Sequence, residues 1–568
     1  MIALAGRRSS VHREGDDLLT AGLGLSGLQA STPPPFASPD QPRADEVRRR
    51  AIWSNWNGIA DMSAGGGYGQ LYGSAAPVPG REFHALATVP GARHPHRVMV
   101  QLPDGFDRER RCIVVTASSG SRGVYGAIAV AGEWGLPKGC AVAYTDKGAG
   151  TDHFDFDAGV GIRADGTPTG AHDEAVFRPA GAGRGVAFKH AHSGDNPEAD
   201  WGRHVRQAAE FALQVLNEAL PDDAPFAFSN TRVIAVGLSN GGGAVLRAAE
   251  LDEDWLDAVV AAAPSIHVDA PGARTLYDYA TEAALLMPCA LRASTDAVEQ
   301  DARRWAVRCS ALRQAGRVEG RGVEAQARSA LEVLHARGWT RPALGAAAWS
   351  TGLDLWRAIA AAYASAYGRF GHDGHPAGYR YAAAPTGGDA RVRAAGWGDG
   401  SGLPPGAGVD LIDPGASGDD PALQRLLHLR ALAEGRDACA LRVQAGIAAT
   451  RAGLPRAGVP VMAIHGVDDG LIPVAFTSVP YMERARAGGR DVRLWRIERA
   501  QHFDALLAWP ALTARYVPLL PYIHAALDQI WAALDGRGRM PRDAWIEARP
   551  RGADALSAHH LAMPLPEP

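Results

Sequence analysis

From about residue 96 the chain alternates short, β-branched apolar runs with segments of helical spacing. The runs are Val98–Leu102, Cys112–Thr116, Cys140–Tyr144, Val233–Val236, Ala258–Val260, Val459–Ile464 and Val492–Ile497. Such runs suit strands buried on both faces, as in a mostly parallel sheet covered by crossover helices. Between the third and fourth, Trp201 to Leu220 carries Val205, Ala208, Ala209, Ala212, Leu213 and Leu216 along one helical face, and Pro221 stops it.

The alternation breaks over 270–455, which is rich in Ala, Leu and Arg. Helical stretches are expected near 276–293, 296–314, 322–337, 342–368 and 422–451, with a Gly/Asp/Pro-rich stretch over 384–420 and no convincing strand. A helical insertion between two halves of a parallel sheet reads as a cap. The pattern therefore divides the chain into a Pro/Gly-rich, loop-rich N-terminal extension (1–95), a first half of the core (96–269), a cap (270–455), a second half of the core (456–535) and a surface-draped tail (536–568). Residues 31–50 read as an exposed connection, and 51–80 as loop packed on a surface.

Composition narrows the function classes only modestly. The 568 residues are 46% hydrophobic and 21% charged, with a net charge of −4. There is no basic excess to suggest a nucleic-acid partner. No apolar stretch is long enough to span a bilayer. Met1 to Thr20 mixes Arg7, Arg8, Arg13, Glu14, Asp16 and Asp17, without the continuous apolar region of a signal peptide. The five cysteines include no CxxC pair. Cys112 and Cys140 read as buried thiols, and the scattered spacing, though it leaves room for one disulfide, defines no framework.

The chemistry concentrates at three strand ends. Gly237-Leu238-Ser239-Asn240-Gly241 fits the G-x-S-x-G nucleophile elbow, with an apolar strand leading in and a helix-compatible run leading out. A sharp strand-to-helix turn needs small neighbours, and Gly237, Gly241, Gly242 and Gly243 supply them. A serine hydroxyl is a weak nucleophile and requires an oriented base. In the α/β-hydrolase arrangement the acid and then the histidine follow the serine. The strand ending at Ile464 runs into His465-Gly466-Val467-Asp468-Asp469-Gly470-Leu471-Ile472-Pro473. Both aspartates are candidates. Asp469 is preferred because it stands four residues after His465, and His465 itself is expected to support the turn. After the strand ending at Ile497, His502 is the expected base. The oxyanion requires donors: the backbone N–H of Asn240, and one from Ser119 or Gly120 in the loop Ala117 to Gly123. Arg122 in that loop reads first as a solvated arginine, with contact to a substrate carboxylate as the alternative. Neither Thr151–Asp157 nor His190-Ala191-His192 matches a metal spacing, and no metal or cofactor is expected. The fold class is therefore α/β, an α/β-hydrolase sheet flanked by helices with a mainly helical cap.

The segments Asp16–Gly24, Tyr144-Thr145-Asp146-Lys147-Gly148-Ala149-Gly150, Ser239-Asn240-Gly241-Gly242-Gly243, His465–Pro473 and Gln501–Ala505 together resemble the D-(-)-3-hydroxybutyrate oligomer hydrolases. The resemblance implies a serine esterase with Ser239 as nucleophile. It acts on short (R)-3-hydroxybutyrate esters released during poly(3-hydroxybutyrate) breakdown and yields the monomer. It also implies an exported enzyme, whereas the chain as written shows no leader, so secreted and cytoplasmic locations both stay open. The rival readings are another carboxylesterase of feruloyl-esterase type, a serine peptidase of the same fold, and a non-catalytic binding protein. The expected partner is a small ester. Oligomeric state is left open.

Overall fold

The structure is a computed structural model that describes residues 2–120, 122–293, 302–385, 390, 393–394 and 408–564. Its centre is a ten-stranded sheet: β1 (Leu4–His12), β2 (Gly80–Ala87), β3 (His96–Pro103), β4 (Cys112–Ala117), β5 (Ala141–Thr145), β6 (Arg232–Leu238), β7 (Ala258–Ala262), β8 (Val461–Gly466), β9 (Val492–Ile497) and β10 (Ala544–Ile546). The spatial order is β1-β2-β3-β5-β4-β6-β7-β8-β9-β10. β4 to β10 run parallel to one another, and β1, β2 and β3 extend the sheet antiparallel, β3 pairing with β5. This is the α/β-hydrolase architecture.

The strands are apolar throughout because both faces are covered. Val114, Val142, Ile234, Val260 and Met462 enter one buried cluster, while Ile113, Ala141, Val233, Val259 and Val461 enter the opposite one, as the two-residue period of a strand dictates. α1 (Ala44–Ile59) and a later helix (Leu520–Leu534) cover the first face. α2 (Pro197–Ala219) and α3 (Asn240–Ala248) cover the second.

The N-terminal region differs from a loose extension. β1 and β2 belong to the main sheet, and α1 buries Val47, Ala51, Ile52, Trp56 and Ile59. These elements escaped the pattern for a physical reason. β1 is an edge strand that pairs on one side and leaves most residues exposed, so its sequence, Leu-Ala-Gly-Arg-Arg-Ser-Ser-Val-His, lacks an apolar face. The tail likewise supplies β10 to the opposite edge.

The cap holds α4 (Leu276–Ala290), α5 (Ala302–Gln314), α6 (Val323–Ala336), α7 (Arg341–Gly352), α8 (Leu355–Gly368), α9 (Leu423–Leu432) and α10 (Ala438–Ala449). The stretch read as 342–368 is two helices, with Asp354 in the left-handed region between them. A two-stranded antiparallel pair, Arg380–Ala383 with Val409–Ile412, also stands where no strand was expected. Four residues per strand is too short for alternation to register. Much of 384–420, the start of the 296–314 stretch and Ser121 lie outside the described residues.

A disulfide joins Cys112 and Cys140, which read as buried thiols, and a second stands where the sequence allowed only one. Cys112 and Cys140 open or precede adjacent parallel strands, whose register sets Ile113 opposite Ala141, and their Cα atoms lie 4.6 Å apart. Cys289 on α4 joins Cys309 on α5. The register that aligned the first pair was invisible in a scattered cysteine count. Cys439 is free.

Candidate active site

The G-x-S-x-G segment makes a tight turn between β6 and α3. Ser239 sits at φ 61°, ψ −122°, a strained backbone conformation for a residue with a side chain. The turn is held by Ser239 N–H donating to Ala262 C=O at 2.8 Å, and by Gly243 and Ser265 N–H groups donating to Ser239 C=O. A Cβ on Gly237 would stand 2.2 Å from the Gly241 carbonyl oxygen, and one on Gly241 would stand 2.3 Å from that of Ala117. The glycines are therefore fixed by backbone approach.

Two loops bring the partners. His502 Nε2 lies 3.0 Å from Ser239 Oγ, and its Nδ1 lies 2.7 Å from Asp469 Oδ2. The carboxylate can only accept, so Nδ1 carries the proton and Nε2 is left to accept from the serine hydroxyl. The other Asp469 oxygen accepts from the backbone N–H groups of Leu471 and Ile472 at 2.9 and 2.7 Å. Burial favours the neutral acid, but the electrostatic pull and hydrogen bonding of the His502 and His465 rings outweigh it. They hold the Asp469 carboxyl well below the usual carboxylate range. Asp468 faces elsewhere and accepts from Arg499 N–H at 3.0 Å.

His465 braces the acid loop. Its Nε2–H donates to Ile472 C=O at 2.8 Å, and its Nδ1 accepts from the Ser478 hydroxyl at 2.7 Å.

Ser239 and His502 open into a cavity of about 160 Å³. Ser119, Gly120 and Asn240 line it, so the two loops expected to supply oxyanion donors face one space. Asn240 opens α3, where backbone N–H groups are left free by the helix. Arg122 also lines the cavity and is half-buried. Its Nη1 donates to Ser54 C=O at 3.2 Å, and a Cβ on Gly58 would overlap its guanidinium.

The rest of the wall was not legible. Gly58 and Ile59 come from α1, and Leu276, Leu355, Ile359 and Tyr363 come from the cap. Beneath the elbow lies a buried polar cluster of Lys147, Glu198, His190 and Tyr363 around Asn240. Lys147 stood in a quoted motif without a role, and the helical spacing of the cap gave no sign of which turn faces the serine. Thr151–Asp157 is accounted for differently from a metal site: Asp152 pairs with Arg97 at 2.7 Å and Lys189 at 2.8 Å. Among the described residues no group of three or more His, Cys, Asp or Glu side chains converges as metal ligands would. No described helix is long and apolar enough to cross a membrane.

A model of the 3HB-oligomer hydrolase family matches residues 5–566. The chain belongs to that family. A D-(-)-3-hydroxybutyrate oligomer hydrolase from Paracidovorax citrulli (strain AAC00-1) is 38% identical, covering 97% of this chain and 90% of its own length. Its namesake from Polaromonas naphthalenivorans (strain CJ2) is also 38% identical, covering 96% and 88%. Among solved structures, feruloyl esterase B from Aspergillus oryzae aligns at 12% identity with a TM-score of 0.36, covering 75% of this chain and 74% of that one. The rice cell wall degrading esterase LipA from Xanthomonas oryzae aligns at 11% with a TM-score of 0.36, covering 81% and 92%.

Proposed function

We propose that the protein is a serine esterase that hydrolyses short (R)-3-hydroxybutyrate oligomers to the monomer through an acyl-enzyme on Ser239. The observation that carries this reading is the unbroken chain Ser239–His502–Asp469, at 3.0 and 2.7 Å, opening into a small cavity. His502 Nε2 accepts the hydroxyl proton as Ser239 Oγ attacks the ester carbonyl, and Asp469 holds the ring in the required tautomer. The oxyanion is met by the Asn240 N–H and by the Ser119–Gly120 loop. Collapse breaks the acyl–oxygen bond, and His502 returns its proton to the departing hydroxyl of the next unit. Water, deprotonated by His502, then attacks the acyl-enzyme carbonyl; collapse breaks the ester bond to Ser239 Oγ, which takes the proton back from His502 as the acid leaves.

The substrate class follows from family membership and is supported by the cavity. A volume of about 160 Å³ is below the roughly 300–1,000 Å³ of sites for drug-sized ligands. That size suits a short ester. Leu276, Leu355 and Ile359 offer apolar contact for methyl-branched units, and Arg122 offers a cation to a terminal carboxylate. No cofactor has a step in this chemistry.

The test is product analysis with (R)-3-hydroxybutyrate trimer, alongside aryl esters and peptides. The wild-type chain should release monomer from the trimer in preference to the others, and Ser239→Ala should release none while remaining folded. Trimer left intact by the wild type, or cleaved equally by Ser239→Ala, would overturn the assignment.

A further inference from the structure

The elbow residue Asn240 is gripped from below by charged and phenolic groups that the triad does not use. Lys147 follows β5, Glu198 stands in the first turn of α2, His190 lies in the short helix Lys189–His192, and Tyr363 belongs to cap helix α8. All are buried. Lys147 Nζ contacts Glu198 Oε1 and donates to Asn240 Oδ1 at 3.1 Å and Tyr363 Oη at 3.0 Å. The Tyr363 hydroxyl in turn donates to the same Asn240 Oδ1 at 2.6 Å. His190 Nε2–H donates to Glu198 Oε1 at 2.7 Å.

We propose that Lys147, Glu198 and Tyr363 are positioning residues for ester hydrolysis: they clamp the Asn240 side chain and so aim its backbone N–H at the oxyanion. The inference rests on the serine-esterase reading above.

Stability alone is a poor account of this cluster. Desolvating an ammonium and a carboxylate costs about as much as their attraction returns, so an apolar pair would serve a core equally well. An apolar pair would not, however, deliver two donors to one amide oxygen. Two hydrogen bonds to Oδ1 fix the Asn240 side chain, and with it the first turn of α3. Of the two charges, the ammonium is the one that contacts Asn240, so the cluster sets its positive member against the elbow. That polarity favours negative charge developing above Asn240. Burial lowers the Lys147 ammonium below the ordinary lysine value, against the pull of Glu198, while Lys147 and His190 hold Glu198 below the usual carboxylate range.

One of the two donors comes from the cap. Tyr363 reaches Asn240 only when α8 lies against the core, so cap placement and oxyanion geometry are linked through one phenol. The same ring lines the substrate cavity.

The experiment is a double-mutant cycle on the full chain, using Tyr363→Phe, Asn240→Ala and the double variant. Hydrolysis of (R)-3-hydroxybutyrate trimer and of p-nitrophenyl butyrate is followed, and affinity for an alkyl boronic acid, a tetrahedral mimic, is read without turnover. Losing one such hydrogen bond should lower kcat at least about fivefold, with KM within about twofold, and weaken boronate binding in parallel. The double variant should be no slower than Asn240→Ala, because the clamp acts only through that side chain. A second variant, Lys147→Met with Glu198→Gln, removes both charges together and leaves none buried alone. It should melt near the wild type yet show the same selective loss of kcat. Folded variants within about twofold of wild-type kcat and boronate affinity, or losses that multiply in the double variant, would overturn the proposal. If the wild type leaves the trimer intact but cleaves the aryl ester, the substrate assignment fails while the cycle remains readable.

Discussion

Replacing Asp469 by asparagine should abolish most activity without removing any atom-sized volume, and the surrounding geometry says why. Asp469 uses one oxygen for two backbone donors, Leu471 and Ile472 N–H, and the other for His502 Nδ1–H. An asparagine must choose an orientation. Turning its NH2 toward Leu471 and Ile472 would set donors against two donors, so the amide oxygen takes that side and the NH2 faces His502. Nδ1 must then accept, the ring proton moves to Nε2, and His502 can no longer take the proton of Ser239. A wrong tautomer of this kind costs about 10⁴ in kcat, or roughly 5.5 kcal/mol of barrier. Asp468→Asn provides the internal control: its carboxylate accepts from Arg499 N–H, a role an amide oxygen also fills. That variant should stay within about tenfold of wild type. Stopped assays of ester cleavage on both purified variants decide the matter. Asp469→Asn retaining more than about a tenth of wild-type kcat, or Asp468→Asn as damaging as Asp469→Asn, would show that Asp469 does not set the His502 tautomer.

Three further outcomes are expected. Gly241→Ala puts a Cβ 2.3 Å from the Ala117 carbonyl oxygen, between the elbow and the loop proposed to supply the second oxyanion donor, so it should lose activity far more than Gly453→Ala, whose Cβ meets the end of Glu250; kcat and melting temperature together read this. Reducing the disulfides, whose partners lie 28 and 20 residues apart, should lower the denaturant midpoint, by an amount corresponding to about 3 kcal/mol for each loop. Acid stability should depend on Asp152, which buried pairing with Arg97 and Lys189 holds below the usual carboxylate range. Its folded pKa is depressed, so the folded state binds fewer protons. The contribution is full above the unfolded value of about 4 and is lost as pH falls below it. Asp152→Asn should therefore flatten the acid limb of a stability–pH curve and destabilise the chain at neutral pH.

The core strands were legible because burial on both faces leaves an unbroken apolar record, as in Ile113-Val114-Val115. The three strand-end residues were legible because the elbow and the two following loops carry their chemistry in short local motifs. Choosing Asp469 over Asp468 needed spacing in the sequence, and the structure adds the separate partners of each carboxylate. What stayed hidden is non-local or solvent-facing. β1 is an exposed edge with no apolar face, and α1 straddles what reads as an exposed connection to residue 50 and a packed loop beyond it, although it is one helix with Trp56 and Ile52 fully buried. The cavity wall from α1 and α8 depends on which helix turns meet the serine, and periodicity gives no depth or direction between segments as far apart as Ile59, Ser239 and Tyr363. The Lys147 cluster joins residues 147, 190, 198, 240 and 363, and only folding makes it a cluster.

Hydrolysis through Ser239 requires an acyl-enzyme formed from a hydroxybutyrate ester. Rapid mixing with (R)-3-hydroxybutyrate trimer, acid quenching and peptide mapping by mass spectrometry tests it most directly. A transient hydroxybutyryl adduct should form on the peptide holding Ser239, in step with the first released product and absent from Ser239→Ala. Product release with no adduct on that peptide, or an adduct on another residue, would contradict it.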